Sequence, residues 1–293
     1  MREHDGTTYG NAGLYRLLIF MLRILNVKVF YVFMGVCVIP ITLVFSPGAR
    51  LTYNYFRKRK GCGWWKALCS TYGNHYVFGQ TVIDKFAMYA GRKFTINYNG
   101  LDKYQALVDG KEPFIQLSAH IGCSEILGYS LHLSKPCNVL VYGGEKKSLM
   151  GYRKNSFGDM NVKMIPVGIG MSHSEEIVNA LDKGEIVSAF ADRFVNEHKM
   201  VVAKLHGCDV KLAKGPFSLA TTRGISVIMA STMKERDGSY TAYFTPLYYD
   251  TTLSKQQQRQ QLADAYTAEV ERLLEKYPLQ WFNYSNIFVN NES

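Results

Sequence analysis

His120 and Glu125 are the pair of residues whose types and spacing first suggest chemistry. The stretch Pro113–Tyr129 reads PFIQLSAHIGCSEILGY. An imidazole can take a proton from a hydroxyl near neutral pH. A carboxylate five residues on can hold that ring in one tautomer and stabilise its cation, if the turn between them brings it back. The spacing is common and does not by itself define a site. Position adds weight. Phe114–Leu117 is a short apolar run that predicts a buried strand, and a helix is expected from about Gly122. The pair then sits at the carboxyl end of a strand, where open α/β sheets bind their ligands. Ser124 and Cys123, beside the His, are candidate nucleophiles.

Three further stretches place polar residues after expected strands. Tyr152–Gly158, YRKNSFG, puts Arg153 beyond the strand expected at 137–142. Asp192-Arg193 follows the apolar run 185–190. Lys214-Gly215-Pro216 opens a stretch with Pro in the first turn of an expected helix. Free backbone N–H groups there, with Lys214 adjacent, favour an anion.

The elements that must carry these residues alternate. Strands are expected at 94–98, 114–117, 137–142, 162–167, 185–190, 200–204, 225–231 and 240–245. Helices are expected at 64–89, 101–109, 122–133, 145–157, 173–183, 216–223 and 256–276. In the last, Leu262, Tyr266, Val270, Leu273 and Tyr277 share one face; in 64–89 the apolar rhythm is 65, 68, 72, 76, 83 and 86. The order predicts an α/β fold, with a mixed central sheet and helices on both faces. No GxSxG elbow, P-loop, GxGxxG after a strand or HExxH occurs.

The N-terminal segment is of another kind. Val29–Phe45 runs 17 residues without a charge, after a second apolar stretch at Leu14–Leu25. Either a short spanning helix or an in-plane hairpin fits, with buried helices of a soluble fold as a third reading. The net charge of +10 is concentrated here: residues 1–66 hold ten Lys/Arg against two acids. Basic residues flanking an apolar segment, including Arg57–Lys60, suit an anionic lipid surface and not a nucleic-acid partner. We therefore expect a membrane-attachment segment at 1–60 and a catalytic domain at 61–293. The six Cys show neither a CxxC pair nor metal spacing, and are expected to be reduced, mostly buried thiols.

Together these motifs resemble the lysophospholipid acyltransferase superfamily, in its lipid A lauroyl/myristoyl branch. They also resemble a group of bacterial acyltransferases often encoded with aryl polyene or flexirubin pigment genes. The resemblance rests on Ala119–Glu125, Asp192-Arg193, Lys214–Ala220 and Tyr277–Asn283 (YPLQWFN), in that order along nearly the whole chain. Asp-Arg stands where the commonest lipid A enzymes have Asp-Gln. The resemblance implies a glycerolipid acyltransferase-like fold and an O-acyltransferase with His120 and Glu125 as catalytic residues. Arg153, Asp192, Arg193, Lys214, Gly215 and Pro216 would bind substrate. It further implies an acyl-carrier protein or acyl-CoA donor, a lipid or glycolipid acceptor, no metal or other cofactor, and a place on the cytoplasmic face of the inner membrane. A membrane-bound hydrolase using Ser124 or Cys123, and an inactive accessory protein, are the alternatives.

Overall fold

The computed structural model describes residues 12–131, 133–142, 161–167, 172–193 and 199–289. The expected helix at 145–157, with Arg153, lies outside them.

The described residues open on helices α1 (Ala12–Ile24), α2 (Val27–Phe45, with a π-helical segment at Met34–Val38), α3 (Pro47–Asn54, continued by a π-helical segment at Tyr55–Arg59) and α4 (Trp64–Tyr89). Alternating elements follow: β1 (Ile96–Asn99), α5 (Leu101–Asp109), β2 (Phe114–Ser118), α6 (Ser124–Ser130), β3 (Cys137–Tyr142), β4 (Val162–Val167), α7 (Ser172–Asp182) and β5 (Ile186–Phe190). After these come β6 (Met200–Leu205), β7 (Cys208–Ala213), α8 (Lys214–Arg223), β8 (Ser226–Lys234), β9 (Tyr240–Leu247) and α9 (Lys255–Lys276).

The central sheet is seven-stranded, in the order β1-β9-β8-β2-β5-β3-β4. It is parallel from β8 to β4, and β9 turns back antiparallel on β8. The expected mixed α/β architecture is therefore the one observed. β2 lies in the middle and every residue of it is buried, as expected for a parallel strand covered on both faces. Its polar Gln116 accepts from the Tyr104 hydroxyl and donates to Ser188 Oγ, and Ser118 Oγ donates to Ala230 O. One sheet face holds the α9 stripe, with Leu262, Tyr266 and Leu273 fully buried against Leu117, Val227 and Phe217. The other face packs Phe114, Ile186 and Ile228 under Tyr104 of α5.

Two features depart from the sequence reading. β6 and β7 form a separate antiparallel hairpin, where only the first strand was expected. Its turn is His206-Gly207, both at positive φ (52° and 73°). The second departure is α4. Its expected apolar face is turned outward near its start, with Trp65, Leu68 and Tyr72 exposed, while Asn74, His75 and Asp84 are buried.

α2 runs antiparallel along α4. Tyr31 bonds Asp84, and the Tyr72 hydroxyl donates to Gly35 O at 3.0 Å. A Cβ on Gly79 would collide with the Met34 sulfur, so the glycine permits this close approach. α1 packs Tyr15, Ile19 and Leu22 onto Phe86 and Ala87 of α4. The Arg92 guanidinium donates to Leu22 O at 2.8 Å and to Leu25 O. The opposite faces of both helices are bare apolar surface, including Phe20, Ile24, Val32, Val36, Val44 and Phe45.

Candidate active site

The imidazole of His120 lies two residues past β2, with about a quarter of its side chain (27%) open to solvent. Its turn is held from several directions. Phe282 N–H donates to His120 O at 2.7 Å, and Gly122 N–H to Gln280 O at 3.0 Å. Gly122 has φ +58°, and a Cβ there would sit 2.0 Å from Thr232 O. Only glycine allows the chain to reverse against β8 at this point.

The carboxylate on the imidazole is Asp192, where the sequence pointed to Glu125. Asp192 Oδ1 lies 2.7 Å from Nδ1, and Oδ2 accepts the His120 backbone N–H at 2.8 Å. The reason is strand register. β2 and β5 are parallel neighbours with Ser118 opposite Phe190, so two residues further on His120 and Asp192 face one another. Glu125 leaves the turn on α6 and forms an ion pair with Lys85 of α4 at 2.8 Å.

Asp192 is nearly inaccessible, with 3% exposed. Burial alone would raise its pKa. The His120 charge, the hydrogen bonds from His120's side chain and backbone, and the neighbouring Arg193 together hold it below the ordinary carboxylate value. Asn283 braces it, its amide donating to Asp192 O at 2.6 Å and lying 3.4 Å from Oδ2. Arg193 in turn donates to Asn283 Oδ1 (3.2 Å) and Phe282 O (3.1 Å). The C-terminal YPLQWFN segment thus closes over the site. Lys85 is a contributor that the sequence reading did not single out, and Asn283 stood there only as the end of the YPLQWFN motif without a role.

Lys214, Gly215 and Pro216 form the first turn of α8, which the structure brings to the same end of the sheet. Ala213 N–H donates to Ala191 O at 3.0 Å, so α8 begins beside the Asp192 backbone. A Cβ on Gly215 would meet nothing within 4 Å, which leaves this helix N-terminus open in front.

Cys123 is unsuited to nucleophilic attack. Burial pushes its thiol up to about 12, so it keeps its proton at neutral pH. All six cysteines are free; Cys123 and Cys137 are buried, but Cys37 and Cys69 are exposed, against the expectation that most would be buried. Among the described residues no group of three His, Cys, Asp or Glu could hold a metal ion.

A strand-end imidazole with a buried carboxylate partner suits proton transfer, and many folds carry such a pair. The comparison that decides the family is a match over residues 83–288 to the model of the bacterial lipid A biosynthesis acyltransferases. The chain belongs to this family. The matched stretch of the acyltransferase runs from the last turns of α4, through His120, Glu125, Asp192, Arg193 and Lys214–Pro216, to beyond Asn283. Among solved structures, the acyltransferase is similar to the crystal structure of the 1-acyl-sn-glycerophosphate (LPA) acyltransferase, PlsC, from Thermotoga maritima. That likeness has 14% identity and a TM-score of 0.40, and covers 92% of this chain and 100% of that one. No curated protein matches the chain.

Proposed function

We propose that the protein moves a fatty acyl group from an acyl thioester to a hydroxyl of a lipid or glycolipid at a membrane surface, with His120 as general base. The observation that carries this reading is the partly exposed imidazole at the carboxyl end of the central strand, inside the stretch that matches the family. Nε2 takes the proton of the acceptor O–H, and the oxygen attacks the thioester carbonyl carbon. The resulting oxyanion is stabilised by nearby donors; Arg193 and the open N-terminus of α8 with Lys214 are the groups proposed for this, or for a phosphate on either substrate. Collapse breaks the C–S bond, and the imidazolium returns the proton to the leaving thiolate. As donors, both acyl-carrier protein and acyl-CoA satisfy this chemistry.

The membrane part of the proposal rests on the inverted pattern of α4 and the bare faces of α1 and α2. Exposed Phe45, Trp64 and Trp65 lie close in sequence to Arg57, Lys58 and Lys66, a combination suited to the headgroup region of anionic lipid. We place α2 in the plane of one leaflet and not across the bilayer. Through Tyr31, Asp84 and Lys234, α2 is tied to α4 and to β8 of the central sheet, so a spanning α2 would draw a polar-edged catalytic sheet towards the bilayer, where exposed polar groups are costly. The acceptor then reaches His120 from the lipid side. Phe78 is exposed on α4 and lies 5.1 Å, ring to ring, from Phe282, whose N–H holds the His120 carbonyl. The cytoplasmic face of the inner membrane, where acyl thioesters are made, is the proposed location. The Asp-Arg pair at 192–193 and the similarity to pigment-cluster enzymes extend the proposed acceptors beyond lipid A itself.

The test is to incubate purified protein in anionic-lipid micelles with a long-chain acyl thioester and extracted lipid acceptors. Free thiol release and a matching mass gain on a lipid are expected. Thiol release without acylated lipid would instead make the protein a thioesterase.

A further inference from the structure

We propose that Asp192, and not Glu125, is the positioning residue that fixes the tautomer and aim of the His120 imidazole. The inference deepens the acyl-transfer reading and rests on it for its kinetic part alone.

Geometry carries it in three steps. The first is the two-point hold. One carboxylate takes both the ring Nδ1 and the backbone N–H of the same histidine, at 2.7 and 2.8 Å. An ionised carboxylate only accepts hydrogen bonds, so Nδ1 must carry the ring proton and Nε2 is left with its lone pair. Fixing the backbone as well sets where the side chain starts, and Phe190 packs against the ring, with centroids 4.6 Å apart.

The second step is the platform. His120 and Asp192 extend adjacent central strands in matched register, tied beyond their ends by Ala191 N–H to Ser118 O at 3.2 Å. The Tyr266 hydroxyl of α9 donates to the same Ser118 carbonyl at 2.9 Å, and Asn283 fixes Asp192 from the other side. Groups set on rigid, cross-braced strands keep their geometry better than groups carried on loops. The third step concerns Glu125. It is reached through a left-handed glycine turn onto a seven-residue helix, and its Oε2 is engaged by Lys85. The single Nδ1 position of His120 is already filled, so Glu125 acts on something other than the tautomer.

The experiment reads the proton directly. Full-length protein labelled with ¹⁵N-histidine in detergent micelles is observed at about pH 8.5, roughly two units above the ordinary histidine value. Long-range ¹H–¹⁵N spectra separate Nδ1–H from Nε2–H rings, and His120→Gln assigns the signal. Wild type is expected to show Nδ1–H. In Asp192→Asn the amide oxygen can keep the backbone N–H while the amide NH₂ faces Nδ1. The ring should therefore flip to Nε2–H, and kcat should fall about 10³–10⁴-fold with little change in donor KM. Glu125→Gln should retain the Nδ1–H ring whatever its turnover.

An unflipped ring in Asp192→Asn, or a flip without loss of kcat, overturns the proposal. So does loss of Nδ1–H in Glu125→Gln. If Asp192→Asn does not fold, the other two spectra decide: Nδ1–H in both supports the assignment, and Nε2–H in either overturns it. A wild type that transfers no acyl group would sink the proposed function, while the spectra would still decide the positioning role.

Discussion

Removing the Asp84 carboxylate should be among the most damaging changes the fold can suffer. Asp84 has no exposed surface, and its partner Lys234 has 7%. The carboxylate accepts from Lys234, Tyr31 and Tyr240 together. Lys234 Nζ also lies 3.3 Å from the Tyr31 hydroxyl and 4.9 Å from the centre of the Tyr240 ring. Asp84→Ala leaves a buried ammonium without its anion, for which the expected cost is about 3–5 kcal/mol. For a chain of this size that corresponds to a fall of roughly 6–20 °C in Tm. Thermal or urea unfolding in mild detergent measures it. The double change Asp84→Leu, Lys234→Met removes both charges and should recover most of the loss, because apolar replacement of a buried pair is often close to neutral. Activity should follow stability. The Lys234 backbone is clasped on both sides by the Gln280 amide, and Gln280 O holds Gly122 of the His120 turn. A loss below about 1 kcal/mol for Asp84→Ala, or a double variant no better than the single, would refute this reasoning.

Membrane attachment should survive about 1 M salt, where charge attraction is screened beyond about 3 Å, and should yield to detergent. Cysteine-labelling of residues before α1 and after α2 should report the same side of the vesicle, and opposite sides would contradict in-plane placement. Replacing Arg57, Lys58, Arg59 and Lys60 with Gln should raise KM for acyl-carrier protein more than for acyl-CoA at low salt; equal effects would assign these charges to lipid alone. Asp192 should shape the acid limb of stability. Its folded pKa is lowered, so its contribution is fully present above the unfolded value of about 4 and is lost as pH falls through the folded value. Asp192→Asn should flatten that limb in acid-unfolding curves, and an unchanged limb would count against the ionised pair.

Much of the sheet could be read from the chain because its buried strands are largely apolar runs bounded by polar turns, with Gln116 and Ser188 as internal polar exceptions that bond each other. β2 and β5 are of this kind, which makes His120 and Asp192 both legible as strand-end residues. Their partnership was not legible. It depends on β2 and β5 being neighbours, although β3 and β4 intervene in sequence. A near-sequence carboxylate, Glu125, was the natural candidate until the register was known. The α4 helix shows a different limit. Periodicity locates an apolar face without saying what it faces, and here the polar face is the inward one, since Asn74 donates to Leu279 O and Trp281 O of the C-terminal segment. Only the first strand of the β6–β7 hairpin is legible in the sequence, because its turn is His-Gly and lacks the usual Asn-Gly signal.

The central claim is that His120 moves the proton in acyl transfer, and turnover of His120→Ala tests it most directly. Purified wild type and variant, matched for fold and for binding to anionic-lipid micelles, are compared with one acyl thioester and one lipid acceptor that wild type acylates. The account predicts a fall in kcat of about 10²–10⁴-fold for the variant. Turnover by His120→Ala close to that of wild type would contradict it.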